Sequence, residues 1–183
     1  MSARLIAAAL AAIAVGVVLA GRALATDDPP PLPCDTPVVG TPGPPDGWAA
    51  VTDCGTPPEG LAGQADMRSR TVTVWPAAHT RPDALVWTWL HELGHAYDAA
   101  VLDDDGRDRW RELRGLPDGP WQHLHSGPEL DRQAWRNAPG EDFAEAFAFC
   151  HRRDADRVRI PGFILPDEAA CELVLRLTDG GAS

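Results

Sequence analysis

The stretch WTWLHELGHAYDAA constrains this chain more than any other. His91 and His95 stand four residues apart, and on a helix residues i and i+4 share a face. Two imidazoles can therefore address one point, and Glu92, about 100° round the helix from His91, can hold a water there. Apolar residues recur at Val86, Trp89, Leu90, Leu93, Tyr97, Ala100 and Val101, which predicts a buried helix from Ala84 to about Leu102. Thr80-Arg81-Pro82-Asp83 reads as its start, with a threonine cap and proline in the first turn. Histidines that merely decorate a polar face fit this helix poorly, because it is apolar on several sides and unpaired imidazoles are costly to bury.

Such a pattern suits metal-assisted hydrolysis. Neutral imidazoles are good zinc ligands, and three protein ligands leave the fourth position to water. Zinc lowers the pKa of that water to about 7, and a carboxylate beside it takes the proton as the water attacks a carbonyl. The third ligand is expected in GEDFAEAFAFC, where Glu141 and Glu145 are again i and i+4. A helix beginning near Pro139-Gly140 would carry both. They sit among Phe143, Phe147, Phe149 and alanines, which argues against a solvated pair. One carboxylate can bind the ion while its neighbour accepts a histidine N–H.

HELGHAYD followed downstream by EDFAEAF resembles the gluzincin metallopeptidases of the anthrax lethal factor type. The matching stretches are His91–Asp98 and Glu141–Phe147. The resemblance implies an α+β, zincin-like metallopeptidase domain: a small sheet, an HExxH helix and a later helix bearing the glutamate ligand. It implies one Zn2+ per chain, held by His91, His95 and Glu141, with Glu92 as general base and Glu145 supporting a ligand from behind. A looser alignment would make Glu145 the ligand. It also implies a peptide or protein substrate. Family members carry a tyrosine shortly before the third ligand that steadies the oxyanion, whereas this chain has Gln133-Ala134-Trp135-Arg136 there. Its single tyrosine, Tyr97, lies about 200° round the helix from His95 and so faces away from the metal. His123 and His125, in the loop-rich stretch before the second helix, are the candidate oxyanion donors. Asp98 is expected to support a neighbour of His95 or to cap locally rather than to bind metal.

The remaining sequence places the domain outside the cytoplasm. Arg4 precedes an apolar run from Leu5 to Gly21, followed by Ala23-Leu24-Ala25, so residues 1–25 read as a signal peptide or an N-terminal membrane anchor. Residues 26–45 form a proline-rich segment read as an extended linker. Residues 46–183 are expected to be the metallopeptidase domain. The four cysteines contain no CxxC pair, and in an oxidising compartment the local pairing Cys34–Cys54 and Cys150–Cys171 is favoured. If formed, the second bond would clamp the last helix, Pro166 to about Leu177, to the one carrying Glu141.

Strands are expected at Gly47–Thr52 and, with stricter alternation, at Arg70–Trp75. Pro76 suggests that the latter is an edge strand, available to an extended peptide by strand addition. DDDGRD (Asp103–Asp108) reads as the end of the HELGH helix, with a short helix to follow at Arg109–Arg114. The seven tryptophans, Trp87 and Trp89 among them, are assigned mainly to the core. A net charge of −11, with arginine and no lysine supplying the positive charge, disfavours nucleic acid and anionic membrane surfaces as partners. The chain is expected to be a monomer that meets a membrane only through an uncleaved N-terminal segment. The leading expectation is an exported zinc peptidase; the alternative is an extracellular zinc-binding module without turnover.

Overall fold

The computed structural model of the protein describes residues 29–118, 121, 138–152 and 163–180. Among these residues a small sheet and four helices surround one core, in an α+β fold. The strands are β1 (Ala49–Thr52), β2 (Gly63–Asp66) and β3 (Thr71–Val74). A short 3-10 turn (Pro76–Ala78) leads from β3 to helix α1 (Pro82–Val101), and α2 (Asp104–Arg114) follows at once. Two further helices are α3 (Pro139–His151) and α4 (Glu168–Gly180).

The strand order is β1-β3-β2. β1 runs parallel to β3, with Ala49 opposite Thr71, and β2 runs antiparallel to it, with Gly63 opposite Val74. The strand read from the sequence as an edge is therefore the central one. Pro76 does not bear on the ladder because it lies beyond the last pair, and even Trp75 still donates its backbone N–H to Ala62 O at 3.1 Å. Alternation along TVTV is nonetheless informative: Val72 and Val74 are fully buried. The sequence of β2, GQAD, contains no β-branched residue and gave no strand signal. Its existence follows from the tight turn that returns it to β3. Asp66 accepts the backbone N–H of Arg68 and the Ser69 hydroxyl, each at 2.8 Å, and Arg70 takes a left-handed φ of 52°.

Helix starts also depart from expectation. Thr80 is not the α1 cap; that position is Arg81, whose guanidinium pairs with Asp83. DDDG opens α2 rather than merely closing α1. Asp103 accepts the Gly106 N–H at 2.8 Å, as an N-cap does, so the helix begins five residues earlier than Arg109. Gly115, with φ 61°, ends it.

The core lies where α1 crosses both the sheet and α3. Leu90 and Leu93 of α1 share one buried cluster with Phe143 and Phe147 of α3; Tyr97 stacks on Phe147 and Trp110 of α2 meets Phe143 edge-on. Tyr97 is thus a packing residue, and its hydroxyl donates to Gly43 O at 3.2 Å. Together with Leu32 N–H to His79 O at 2.8 Å, this bond lays the proline-rich segment against the domain. The disulfides Cys34–Cys54 and Cys150–Cys171 are both present, the first fastening that segment and the second joining α3 to α4.

One buried ion pair orients α3. Asp142 accepts from Arg114 Nε at 2.9 Å, from Arg114 Nη2 at 3.0 Å and from Trp110 Nε1 at 3.1 Å. Both charged side chains are almost wholly buried. Removing one member strands the other charge in a low-dielectric interior. Asp142→Ala is expected to lower stability by about 3–5 kcal/mol, read from urea unfolding midpoints.

Candidate metal centre

The α1 sequence puts Trp87, His91 and His95 on one stripe, successive members one turn apart. That stripe faces α3, and the two helices come together closely because of the glycine inside HELGH. A Cβ on Gly94 would lie 2.6 Å from Ala144 Cα and 2.9 Å from Phe147 Cβ. No side chain larger than hydrogen fits there without moving a helix.

This approach brings Glu141 to the histidines. Its Oε2 lies 3.4 Å from His91 Nε2 and 3.4 Å from His95 Nε2. One ligand atom from each of the three residues falls within 4.8 Å of the others, so the group can hold a metal ion. Glu145, one turn further along α3, lies behind His91 rather than at the common point. Its Oε2 is 3.1 Å from His91 Nδ1, and the Trp87 indole N–H donates to both of its oxygens at 3.2 Å. Sequence reasoning assigns Trp87 only to the core. The available signal was its position four residues before His91, on the same stripe.

Glu92 lies on the neighbouring face of α1, against β2. A Cβ on Gly63 would stand 2.6 Å from Thr88 Cγ2, 2.7 Å from Glu92 Cγ and 3.1 Å from Glu92 Oε1. The bare backbone of β2 therefore runs directly over the carboxylate. Asp98, fully buried, serves the fold. It accepts from Arg107 Nε of α2 at 3.2 Å and from Trp121 Nε1 at 2.6 Å. His123, His125 and Gln133–Arg136 lie outside the described residues.

Electrostatics couple the cluster. Burial alone would push the His91 imidazole below its ordinary value of 6.5. Hydrogen bonds to Glu141 and Glu145, with the charges of Glu92 and Glu141, outweigh burial and hold it well above. Burial likewise tends to raise Glu141, but hydrogen bonds from His91 and His95 win and hold it well below 4.5. The donor set thus keeps a carboxylate ionised at any moderate pH, and a cation entering it must displace a proton from His91.

The signs of these shifts give a testable pH dependence for the metal-free protein. A raised imidazole stabilises fully below 6.5 and loses its contribution as pH climbs through the folded value. A depressed carboxylate stabilises fully above 4.5 and loses its contribution as pH falls. The cluster's own stabilisation is then complete between 4.5 and 6.5 and declines on either side. Added zinc should do the reverse on the alkaline side. The difference in melting midpoint with and without zinc is expected to widen from about pH 5 to about pH 8. A constant or shrinking difference would contradict proton displacement.

Comparison of the chain with protein-family models, curated proteins and solved structures returns no match. The arrangement of these side chains therefore carries the functional reading.

Proposed function

We propose that the protein is a zinc-dependent peptidase acting outside the cytoplasm, with His91, His95 and Glu141 as ligands and Glu92 as the general base. The observation that carries this reading is the convergence of two imidazoles and one carboxylate on a single point, with a second, non-ligand carboxylate beside it on the adjacent helix face. Two ligands bound tetrahedrally to zinc at about 2.0–2.1 Å lie about 3.3 Å apart. Both imidazole-to-Glu141 separations are 3.4 Å. Nitrogen–nitrogen–oxygen donor sets suit zinc and leave a position open for catalysis.

A zinc ion there would supply Lewis acidity, polarising a carbonyl and making water acidic enough to attack near neutral pH. The chain's own residues account for the rest. Glu92 can take the proton from the attacking water and return it to the departing amine. Glu145 holds His91 from behind, so that Nε2 faces the metal point. The outer edge of β2 has no strand partner among the described residues, and its Gly63 end lies over Glu92. An extended peptide added to that edge would pass the base. This edge takes over the role expected of Arg70–Trp75, since β3 is paired on both sides.

Two disulfides are compatible with an oxidising compartment. No helix among the described residues is long and apolar enough to cross a membrane. The alternative, a metal-binding module without turnover, is motivated by the missing tyrosine in Gln133–Arg136.

Two variants test the proposal. Glu92→Gln should retain about one zinc per chain yet abolish chelator-sensitive cleavage of a peptide library. Gly63→Ala should displace Glu92 without touching a ligand, retaining zinc while slowing cleavage by up to about 100-fold. Zinc-loaded wild-type protein that cleaves nothing in the library would favour the inactive module instead.

A further inference from the structure

We propose that Trp87 is a positioning residue for the metal centre: its indole N–H fixes the Glu145 carboxylate in the orientation that turns His91 Nε2 toward the metal point. This inference rests on the metal-centre reading and deepens it.

Glu145 is 1% exposed, too deep for solvent to supply a replacement donor. Among the described residues it has two hydrogen-bond partners. Trp87 Nε1 sits 3.2 Å from each oxygen, approaching the carboxylate symmetrically, and His91 Nδ1 sits 3.1 Å from Oε2. A carboxylate rotates easily about its terminal bond, because that torsion has no sharp staggered minima. The His91 bond alone engages only one of the two oxygens and leaves the carboxylate able to turn. The indole is rigid, buried and carried on the same helix as His91, so it supplies the fixed reference. With Glu145 held, Nδ1 becomes the donor nitrogen of His91. The neutral ring then has its lone pair on Nε2, 3.4 Å from Glu141 Oε2, which is the tautomer a metal requires. Trp87, His91 and His95 thus form a stripe in which the first member sets the second.

The fold contains a matched comparison. Trp110 also donates its indole N–H to a buried α3 carboxylate, Asp142, at 3.1 Å. Asp142 is held by Arg114, on the side of α3 that faces α2. Trp87→Phe and Trp110→Phe each delete one indole-to-carboxylate bond and similar volume, but only the first touches the His91 support.

The test measures zinc affinity of the purified full chain by competition with a chromophoric chelator. Trp87→Phe is expected to weaken zinc binding about 10–100-fold. Trp110→Phe should stay within about twofold of wild type, the scatter of an uncoupled site. In a Glu145→Gln background, Trp87→Phe should add less than about twofold, because its effect runs through Glu145. Unchanged affinity in Trp87→Phe, equal weakening in Trp110→Phe, or full additivity with Glu145→Gln overturns the role. Should Trp87→Phe not fold, the wild-type spectrum decides. The Trp87 indole proton must be protected from exchange and must shift when zinc is added; an exchanging, unshifted proton overturns the proposal. Wild-type protein that binds no zinc overturns the metal reading itself, and this role falls with it.

Discussion

Helix α3 carries three carboxylates into the interior within five residues, and the rest of the structure is arranged to answer them. Glu141, Asp142 and Glu145 are all buried. Three carboxyl groups removed from water, without partners, would cost far more than a domain of this size can offset. Each has its donors, and His91 serves two of the three. Glu141 meets His91 and His95, Glu145 meets His91 and Trp87, and Asp142 meets Arg114 and Trp110. α1 therefore answers two acids and α2 the third. The placement of both helices around α3 is fixed by where those charges sit.

This requirement explains why the site residues were legible in the sequence and much of the fold was not. The i, i+4 pairs His91/His95 and Glu141/Glu145 announce themselves because helical periodicity converts spacing into direction. Their surroundings of leucine and phenylalanine say that the faces are buried. The division of labour between the two glutamates came from the resemblance, and Glu141 does lie at the histidine Nε2 atoms while Glu145 lies at Nδ1. The β2 strand was illegible because GQAD has neither alternation nor strand propensity; it forms through a turn and a neighbour. The position of β3 in its sheet was misread from Pro76, whose effect does not reach beyond its own missing N–H. DDDG read as a stop because acidic runs disfavour a helix interior, yet the same run caps the next helix through Asp103.

Gly94 shows a different kind of information. As the fourth letter of HELGH it reads as a neutral spacer, and intrinsic propensity counts it against the helix. The structure gives it a reason: the backbone of α3 at Ala144 occupies the place of its missing Cβ. Close approach of the helices is what lets a short glutamate side chain reach both imidazoles. Gly63 plays the parallel part on the other side of α1, where β2 comes down onto Thr88 and Glu92. Neither glycine has a positive φ to mark it, so only tertiary contact distinguishes it from a tolerated accident.

The two glycines also mark two differently packed faces of one helix. The stripe Trp87, His91 and His95 faces α3 and is tuned by carboxylates; the stripe Thr88 and Glu92 faces β2 and is tuned by bare backbone. A ligand must be held rigidly and charged correctly, which buried hydrogen bonds achieve. A general base, the role proposed for Glu92, must stay reachable by water and substrate, and Glu92 is only half-buried. Adjacent positions on an α-helix point about 100° apart, so neighbouring residues His91 and Glu92 can occupy these opposed environments without any break in the backbone. A strand could offer only opposite faces, and a loop could not hold either direction firmly. That angle, more than the identity of any single ligand, is the reason the chemistry proposed here is built on a helix.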